Sequence, residues 1–430
     1  MSKPAPQPSY RWWVVGMLWS ISFFNYADRQ AIFSVFPLLE RTMHLSAPQL
    51  GLLGSSFALV YGICGQFAGI IVDRIRRKTA VLGGLQAWSI ICMATGFVRS
   101  FPGLLILRAA EGLGETFYYP ASMSIVSDYH GRKTRSRAIG LHQTSVYVGT
   151  IAGGFFAGLI GQVYGWRWSF FVFGGLGILL GLVLGRFLRE PERGSADFAD
   201  SGLTSANAHA KKLSAREALR VVWGCPTAVT LMGAFMCANF VAAVLLSWMP
   251  KFVYDRFHLN LAMAGLTATI FVQLASMVGS ITGGWLADVM RRRSPGGRML
   301  VQAVGVFGGA PFVALCGLTQ SIEWLIFALT AWGFFKGLYD ANIFASAFDV
   351  IRPEARGTAA GFMNTVGWLG GGATAPLIIG MIARSNGLGT GIALASIVYI
   401  AAGILLLVAA LVFARRDAER MQREVDSDVN

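Results

Sequence analysis

The sequence predicts an all-α membrane protein with twelve transmembrane helices arranged in two six-helix bundles. Three observations predict this fold: twelve long apolar runs, a shortage of charge, and a weak repeat of the first half in the second. Hydrophobic residues make up 54% of the 430 residues and charged residues 13%, whereas soluble domains carry about 25% charged residues. About 20 apolar residues cross a bilayer as a helix, which satisfies its own backbone hydrogen bonds there.

The apolar runs give the order of the predicted spans. They are residues 12–39, 49–72, 79–98, 101–127, 137–162 and 167–188 in the first half, and 224–253, 260–289, 299–319, 322–348, 357–384 and 388–414 in the second. We therefore expect an N-terminal six-helix bundle (1–188), a cytoplasmic linker (189–222), a C-terminal six-helix bundle (223–416) and a cytoplasmic tail (417–430). In the linker, the stretch from Ser214 to Glu217 predicts a cap before a short surface helix.

The placement of lysine and arginine predicts the orientation. The two termini and the even-numbered gaps between spans carry 27 of the 36 basic residues, and the opposite side carries six. Cytoplasmic loops carry the excess of basic residues in membrane proteins. Both termini and the linker are therefore predicted to be cytoplasmic, and the expected location is the cell (inner) membrane.

Composition and motifs also exclude several classes of function. The net charge of +14 comes from basic residues between apolar runs, which argues against a nucleic-acid-binding surface. We find no nucleotide-binding loop, metal-ligand cluster or nucleophile constellation, so no enzyme activity, cofactor or metal is expected. The expected partners are a small anionic substrate, protons and the lipid bilayer, and the expected state is a monomer. Five cysteines are interpreted as small packing residues: Cys64, Cys92, Cys225, Cys237 and Cys316.

The two halves of the chain resemble each other weakly. A glycine-to-basic stretch after span two, residues 69–78, recurs after span eight at 284–293, and its aspartates Asp73 and Asp288 lie 215 residues apart. A second echo relates Asp128 and its basic cluster to Asp349. Two duplicated six-span halves with a substrate site between them are a known transporter architecture. In span five, the glycines from Gly149 to Gly158 predict a helix-contact face.

Ionisable residues inside the spans indicate a polar interior. Asp28 and Arg29 lie in span one, and Arg108, Glu111 and Glu115 lie in span four at positions i, i+3 and i+7, on one helix face. Each charge costs about 2.5–3.5 kcal/mol or more at mid-bilayer, so it is retained where a cavity or partner receives it. Such residues point to transport.

Each charged group also has a structural interpretation. Arg29 offers a planar fork that suits a carboxylate, or it only neutralises nearby acids. Glu115 is a candidate proton site, whereas the pairing of Arg108 with Glu111 could simply brace the helix packing. Lys336 and Asp340, one helical turn apart in span ten, form either a structural pair or part of a substrate site.

The repeated stretches resemble the loop 2–3 signature of the major facilitator superfamily. The match at 69–78 departs from it at Arg76, where the signature usually has glycine. The resemblance covers essentially the whole chain and implies the fold of that superfamily. The resemblance also implies a latch at the cytoplasmic ends of the helices. It would be formed by Asp73 and Asp288 with their basic neighbours Arg74, Arg77 and Arg291.

Further motifs resemble the anion:cation symporter group, which includes sugar-acid and hexuronate carriers. They are Asn25-Tyr26-Ala27-Asp28-Arg29, Tyr61, the spacing of Arg108 and Glu115, and Gly361-Phe-Met-Asn364. The resemblance implies that Arg29 binds a carboxylate and that Asp28 and Glu115 carry protons. It also implies that Tyr26, Tyr61 and Asn364 are polar groups of the cavity.

The N-terminal half also resembles spinster-like lipid carriers. They share the Asn-Tyr-x-Asp-Arg motif and the arginine-to-glutamate spacing, and Gly112-Leu-Gly114-Glu115 is similar to theirs. The function expected from the sequence is proton-coupled import of a small organic anion, a sugar acid or related carboxylate. The alternatives are a carrier of a lysolipid or other amphiphile and, less favoured, a solute-sensing transceptor.

Overall fold

Helices follow one another along the computed structural model, which describes residues 8–131, 133–191, 196 and 215–429. The helices of the first half are α1 (Pro8–Ser34), α2 (Phe36–Met43), α3 (Ala47–Arg74), α4 (Arg77–Thr95), α5 (Phe101–Thr116), α6 (Tyr118–Tyr129), α7 (Arg135–Tyr164) and α8 (Trp166–Phe187). In this half, α1 packs along α7, and α4 packs against α8 and α5.

The second half begins with a short helix, α9 (Ala215–Trp223), which confirms the surface helix predicted in the linker; its predicted cap Ser214 lies outside the described residues. The helices that follow are α10 (Pro226–Phe257), α11 (Leu261–Arg291), α12 (Gly297–Leu318), α13 (Ile322–Asp340), α14 (Ile343–Phe348), α15 (Arg356–Val366), α16 (Ala375–Asn386), α17 (Leu388–Val408) and α18 (Ala414–Val429). A 3₁₀ turn (Pro353–Ala355) precedes α15, and π-helical segments follow α15 (Gly367–Gly372) and α17 (Ala409–Phe413).

Every predicted span coincides with one helix or with consecutive helical segments. Among the described residues, eight helices are long and apolar enough to cross a membrane. Span four is not among them because it is divided into α5 and α6, of 16 and 12 residues. The helical membrane fold agrees with the sequence, and the count of twelve spans stays a prediction.

Two of the spans are interrupted near an ionisable residue. The interruption between α5 and α6 falls at Phe117, two residues after Glu115, and that between α13 and α14 follows Asp340. In the second break, the Asn342 side-chain amide donates to the backbone oxygens of Gly283 and Leu338, both at 3.0 Å. Interrupted helices are tolerated in a membrane where the released backbone groups find other partners or face a cavity.

The turns repeat between the two halves of the chain. Among the described residues, positive φ angles occur at His44 (53°) and His258 (55°), and at Gly165 (90°) and Gly387 (83°). Each histidine precedes the second predicted span of its half, α3 or α11, and each glycine is the single residue between two helices. L-residues with a side chain rarely adopt this conformation, so the glycines fit the tightest links. The recurrence agrees with the duplication inferred from the sequence.

Glycines of α7 allow close helix packing, which confirms the prediction for span five. A Cβ atom at Gly149 would lie 2.5 Å from the backbone oxygen of Phe23 in α1, and one at Gly158 would lie 2.5 Å from that of Leu261. No side chain fits at such a distance. The backbones of neighbouring helices therefore approach each other directly, as small residues permit in membrane proteins.

The chain forms two compact units. The first unit comprises the described residues within Met1–Met43, Cys64–Ala210 and Asn260–Leu266. The second unit comprises the described residues within His44–Ile63, Lys211–Leu259 and Thr267–Asn430. The bundles predicted from the sequence differ from these units in 44–63 and 260–266, and their boundaries stay a prediction. The apolar core of the first unit centres on Trp88 of α4, which packs edge-on against Tyr118 at a centroid distance of 5.8 Å.

A buried histidine follows α6 and contacts the first turns of α1 and the residue before α7. His130 is 1% exposed, its Nε2 donates to the backbone oxygen of Arg11 at 3.2 Å, and its Nδ1 lies 3.1 Å from Thr134 Oγ1. A carbonyl can only accept, so Nε2 carries the proton and Nδ1 accepts from the threonine. Burial lowers the pKa of His130 below its usual 6.5, because the charged ring would lose its hydration.

We expect this histidine to make the protein less stable in acid. The unfolded chain protonates its histidine near pH 6.5, whereas the folded protein keeps the ring neutral, so stability present above that pH is lost as the pH falls below it. His130→Gln should therefore reduce the difference in melting temperature between pH 7.5 and pH 5.5. The control is His258→Asn, at an exposed histidine. An equal pH dependence in wild type and His130→Gln would contradict this expectation.

Candidate functional site

An ion pair joins two helices of the first unit. The guanidinium of Arg29 in α1 donates from Nε to Oε2 of Glu115 in α5, with the arginine side chain 11% exposed and the glutamate fully buried. The guanidinium also lies over the ring of Tyr26, 4.9 Å from its centroid. Since Tyr26 precedes Arg29 by three residues, both face the same side of α1. An arginine that contacts both an acid and an aromatic ring is held in a defined position.

A second ion pair lies within α5, between residues of the turns that precede Glu115. Arg108 Nη1 donates to Oε2 of Glu111 at 2.6 Å, and the two side chains are 2% and 3% exposed. Arg108 Nη2 donates to the backbone oxygen of Arg29 at 3.2 Å, and the guanidinium lies 5.8 Å from the ring centroid of Phe33. Arg108 therefore fixes the backbone of α1 at the residue that contacts Glu115.

Asp28 precedes Arg29 on α1, and neighbouring residues lie about 100° apart around a helix. It is fully buried, and neither carboxylate oxygen has a hydrogen-bond partner among the described residues. Glu111, Glu115 and Arg108 are close enough to act on its charge, and the thiol of Cys92 in α4 is a direct neighbour. A thiol is only a weak donor, so an ionised carboxylate here is costly to bury.

The remaining predicted cavity residues lie in the second unit. Tyr61 in α3 packs against the indole of Trp368 with 4.8 Å between ring centroids, and stacks on Phe57 at 5.8 Å. Lys336 donates to Asp340 within α13, which agrees with a pair at i and i+4. Asn364 is partly buried in α15. The structure thus brings together six of the predicted site residues in the first unit, namely Tyr26, Asp28, Arg29, Arg108, Glu111 and Glu115.

The repeated glycine-to-basic stretches form charge networks at the helix ends. In the first unit, Arg77 pairs with Asp128, Arg74 is exposed, and the side chain of Asp73 lies outside the described part of the chain. Glu190 accepts from the backbone nitrogens of Arg77 and Lys78 at 2.9 and 2.7 Å and so caps α4.

The corresponding network of the second unit is built on Asp349. Its Oδ2 lies 3.0 Å from Nε of Arg291 and 3.2 Å from Nε of Arg298. Nη2 of Arg298 also lies 2.8 Å from Oδ1 of Asp288. Asp128 and Asp349 were the markers of the second sequence echo. Each of these two aspartates therefore pairs with an arginine at a terminus of a preceding helix: Asp128 with Arg77, the first residue of α4, and Asp349 with Arg291, the last residue of α11.

Sequence reasoning missed several of these partners. Cys92 was interpreted only as a packing residue, and nothing in its surroundings along the chain indicates Asp28. Trp368 gives no signal beyond its aromatic ring in an apolar run. Arg298 and Glu190 lie outside the motifs that were singled out. Among the described residues, no group of three His, Cys, Asp or Glu side chains is placed to hold a metal ion.

Comparisons with known proteins identify the family. The family model described as Major Facilitator Superfamily matches residues 18–375. The probable galactarate/D-glucarate transporter GudP of Escherichia coli K12 is 24% identical over 96% of this chain and 95% of its own length. Human protein spinster homolog 1 is 27% identical over 86% of this chain and 72% of its own.

A similar solved structure supports the fold. It is a crystal structure of a bacterial homolog to the human lysosomal transporter Spinster, in an inward-facing and unoccupied conformation. The similarity has a TM-score of 0.80 with 23% sequence identity, and covers 97% of this chain and 99% of the other. At this identity the likeness concerns the fold alone.

The Arg108–Glu111 pair provides a test of the site's architecture. Glu111→Ala should lower the free energy of unfolding by about 3–5 kcal/mol, because it leaves a buried guanidinium without its acid. The double variant Arg108→Met, Glu111→Leu should recover much of that loss, since it removes both charges together. Unfolding of the detergent-solubilised protein, followed by intrinsic fluorescence, measures both. Equal losses in the single and double variants would show that the buried charge is not the cause.

Proposed function

The chain belongs to the Major Facilitator Superfamily of transporters, and on this basis we propose that it is a proton-coupled carrier that imports a small organic anion. The proposed substrate is a sugar acid or related carboxylate, and the mechanism is alternating access of two helical bundles around one site. Relatives named as galactarate/D-glucarate, hexuronate and D-galactonate transporters support this substrate class. The family consists of multi-pass membrane transporters and not of enzymes.

The observation that carries the proposal is the pair of Arg29 with Glu115. A proton on Glu115 removes the negative charge that holds the guanidinium, and the freed fork can then bind a substrate carboxylate through two hydrogen bonds. When the proton leaves, Glu115 competes for Arg29 and the substrate is released. Proton and anion therefore bind together and leave together, which is the requirement for symport.

Asp28 would be a second proton site. Its carboxylate is buried beside the weak donor of the Cys92 thiol, and a proton removes the cost of burying a charge there. Glu111 and Arg108 would keep the local charge balanced while the other two acids exchange protons. If two protons enter with a monovalent anion, one net positive charge crosses the membrane. The membrane potential then supplies about 2.3 kcal/mol per 100 mV, which corresponds to accumulation of up to tens of fold.

We assign further roles in transport to the other predicted residues. Tyr26, Tyr61 and Asn364 would donate hydrogen bonds to the hydroxyl or carboxyl groups of the substrate, and Lys336 with Asp340 would contribute a second polar contact. The charged ends that include Asp73, Arg74, Arg77, Asp288 and Arg291 would latch the closed state. The carrier would act as a monomer in the cell (inner) membrane, with both termini in the cytoplasm.

The second candidate function is transport of a lysolipid or other amphiphile. It is favoured by the 27% identity to human spinster homolog 1 and by the fold shared with its bacterial homolog. Such a substrate would need an apolar path for its acyl chain as well as a site for its headgroup. Sensing of the solute without transport is the third and least favoured possibility.

Glu115→Gln should abolish proton-driven accumulation and preserve counterflow exchange. The neutral amide mimics the protonated acid, so the site can still bind substrate and exchange it, but it cannot release a proton. Uptake into proteoliposomes with and without an imposed pH gradient measures the two activities. Glu323→Gln, at an exposed residue, is the matched control. Accumulation at the wild-type level in Glu115→Gln would exclude Glu115 as the coupling site.

Arg29→Lys should weaken binding of the best carboxylate by roughly ten- to a hundredfold. The substitution keeps the charge but loses the planar fork, and a hydrogen bond to a charged group contributes about 1.5–3 kcal/mol. Calorimetric titration of the purified protein with a panel of sugar acids and lysolipids measures the affinity. Arg99→Lys, at an exposed arginine, is the control. Unchanged affinity, with a thermal shift caused by lysolipid and not by carboxylate, would favour the amphiphile carrier.

A further inference from the structure

A basic pocket lies at the end of the second unit where α9, α18 and the segment before α15 meet. The cavity has a volume of about 140 Å³, and three arginines from three separate segments line it: Arg220, Arg352 and Arg420. Asp417 and Cys225 also line it, and Cys225 directly precedes α10. One water requires only about 10–15 Å³ of such space, so the pocket has room for a group of several heavy atoms.

The acid in the pocket, Asp417, accepts hydrogen bonds from Thr227 at the start of α10. Asp417 is 5% exposed, and its Oδ2 accepts from the backbone nitrogen of Thr227 at 2.9 Å and from its hydroxyl at 2.6 Å. The backbone nitrogen is one of those at the first turn of α10 that have no partner within the helix. The N-terminus of α10 thus stabilises the negative charge of Asp417. Three arginines and this one aspartate line the pocket.

The arginines differ in how firmly they are held. Arg420 Nη1 donates to the backbone oxygen of Gly224 at 3.4 Å, and Arg352 lies 3.5 Å from Glu354 with its side chain 20% exposed. Arg220 is exposed on the rim. Among its charged residues, the lining of the pocket has three arginines and one acid. A guanidinium has five donors in a fork that matches phosphate oxygens.

The surroundings fit an anion at a membrane surface. Trp223, one turn beyond Arg220 on α9, is 53% exposed, and tryptophan is enriched at the interface between membrane and water. On α18, Arg415 and Arg423 pair with Glu419 at 3.1 and 3.9 Å, and Arg416 is exposed. Basic pockets between membrane helices on the cytoplasmic side bind the headgroups of anionic lipids.

We propose that this pocket binds a phosphate group through Arg220, Arg352 and Arg420, and thereby ties α9 and α18 to the start of α10. The phosphate can belong to an anionic phospholipid or to a soluble phosphate compound, since the chemistry of recognition is the same. The site shares no residue with the proposed transport site. Its occupant would therefore act on the stability of this end of the unit and not on substrate affinity.

The test uses the purified full-length protein in neutral detergent. One arm titrates phosphatidylglycerol against phosphatidylcholine in mixed micelles, and the other titrates inorganic phosphate against chloride at equal ionic strength. Thermal unfolding and native mass spectrometry measure stabilisation and retained ligand. The variants are Arg352→Gln and the double variant Arg220→Gln, Arg420→Gln, and the control is Arg416→Gln, at an exposed arginine outside the pocket.

We expect wild type and the control to be stabilised by at least one of the phosphate ligands, and the pocket variants to bind it about tenfold more weakly. Stabilisation by phosphatidylglycerol alone identifies a lipid headgroup as the ligand, and stabilisation by inorganic phosphate alone identifies a soluble one. Equal binding by wild type and all variants, or an equal loss in Arg416→Gln, overturns the proposal. Arg220→Gln alone, at an exposed position, keeps the test valid if the double variant does not fold.

Discussion

The arrangement of the first unit depends on the free-energy cost of burying charged side chains in an apolar bundle. Arg29 and Arg108 each meet a carboxylate, one across two helices and one within α5. Removing one partner of a buried pair is strongly destabilising, and the pair of Arg29 with Glu115 joins α1 to α5. Arg108 adds a hydrogen bond to the backbone of α1. The proposed proton site and the proposed anion site coincide because the same guanidinium serves both.

The two halves place their charges at equivalent points but with different chemistry. Glu115 precedes the break at Phe117, and Asp340 precedes the break at Ala341. Four residues earlier, the first half has Glu111 and the second has Lys336. The first half therefore surrounds its acid with further acids and arginines, whereas the second balances its acid within one helical turn. This difference is consistent with proton coupling in the first half and a fixed polar contact in the second.

Apolar length and helical spacing predicted much of the fold and part of the site. Span positions follow from hydropathy, and the Arg108–Glu111 contact follows from a separation of three residues on one helix. The interruption at Phe117 could not be predicted, because hydropathy does not register the backbone hydrogen bonds that a break releases. The contact of Cys92 with Asp28 depends on how α4 packs against α1, which no local pattern encodes. The same holds for Arg298, whose partners come from two other segments.

The bond between Asp417 and Thr227 has a consequence for biosynthesis. It joins residues 190 positions apart, and a ribosome that adds about 5–20 residues per second needs roughly 10–40 s to cover that distance. During this interval α10 has been made but its first turn lacks the carboxylate that completes it. The backbone nitrogen of Thr227 can reach this acceptor only after α18 has been made. The N-terminal end of α10 is therefore completed late in the synthesis of the chain.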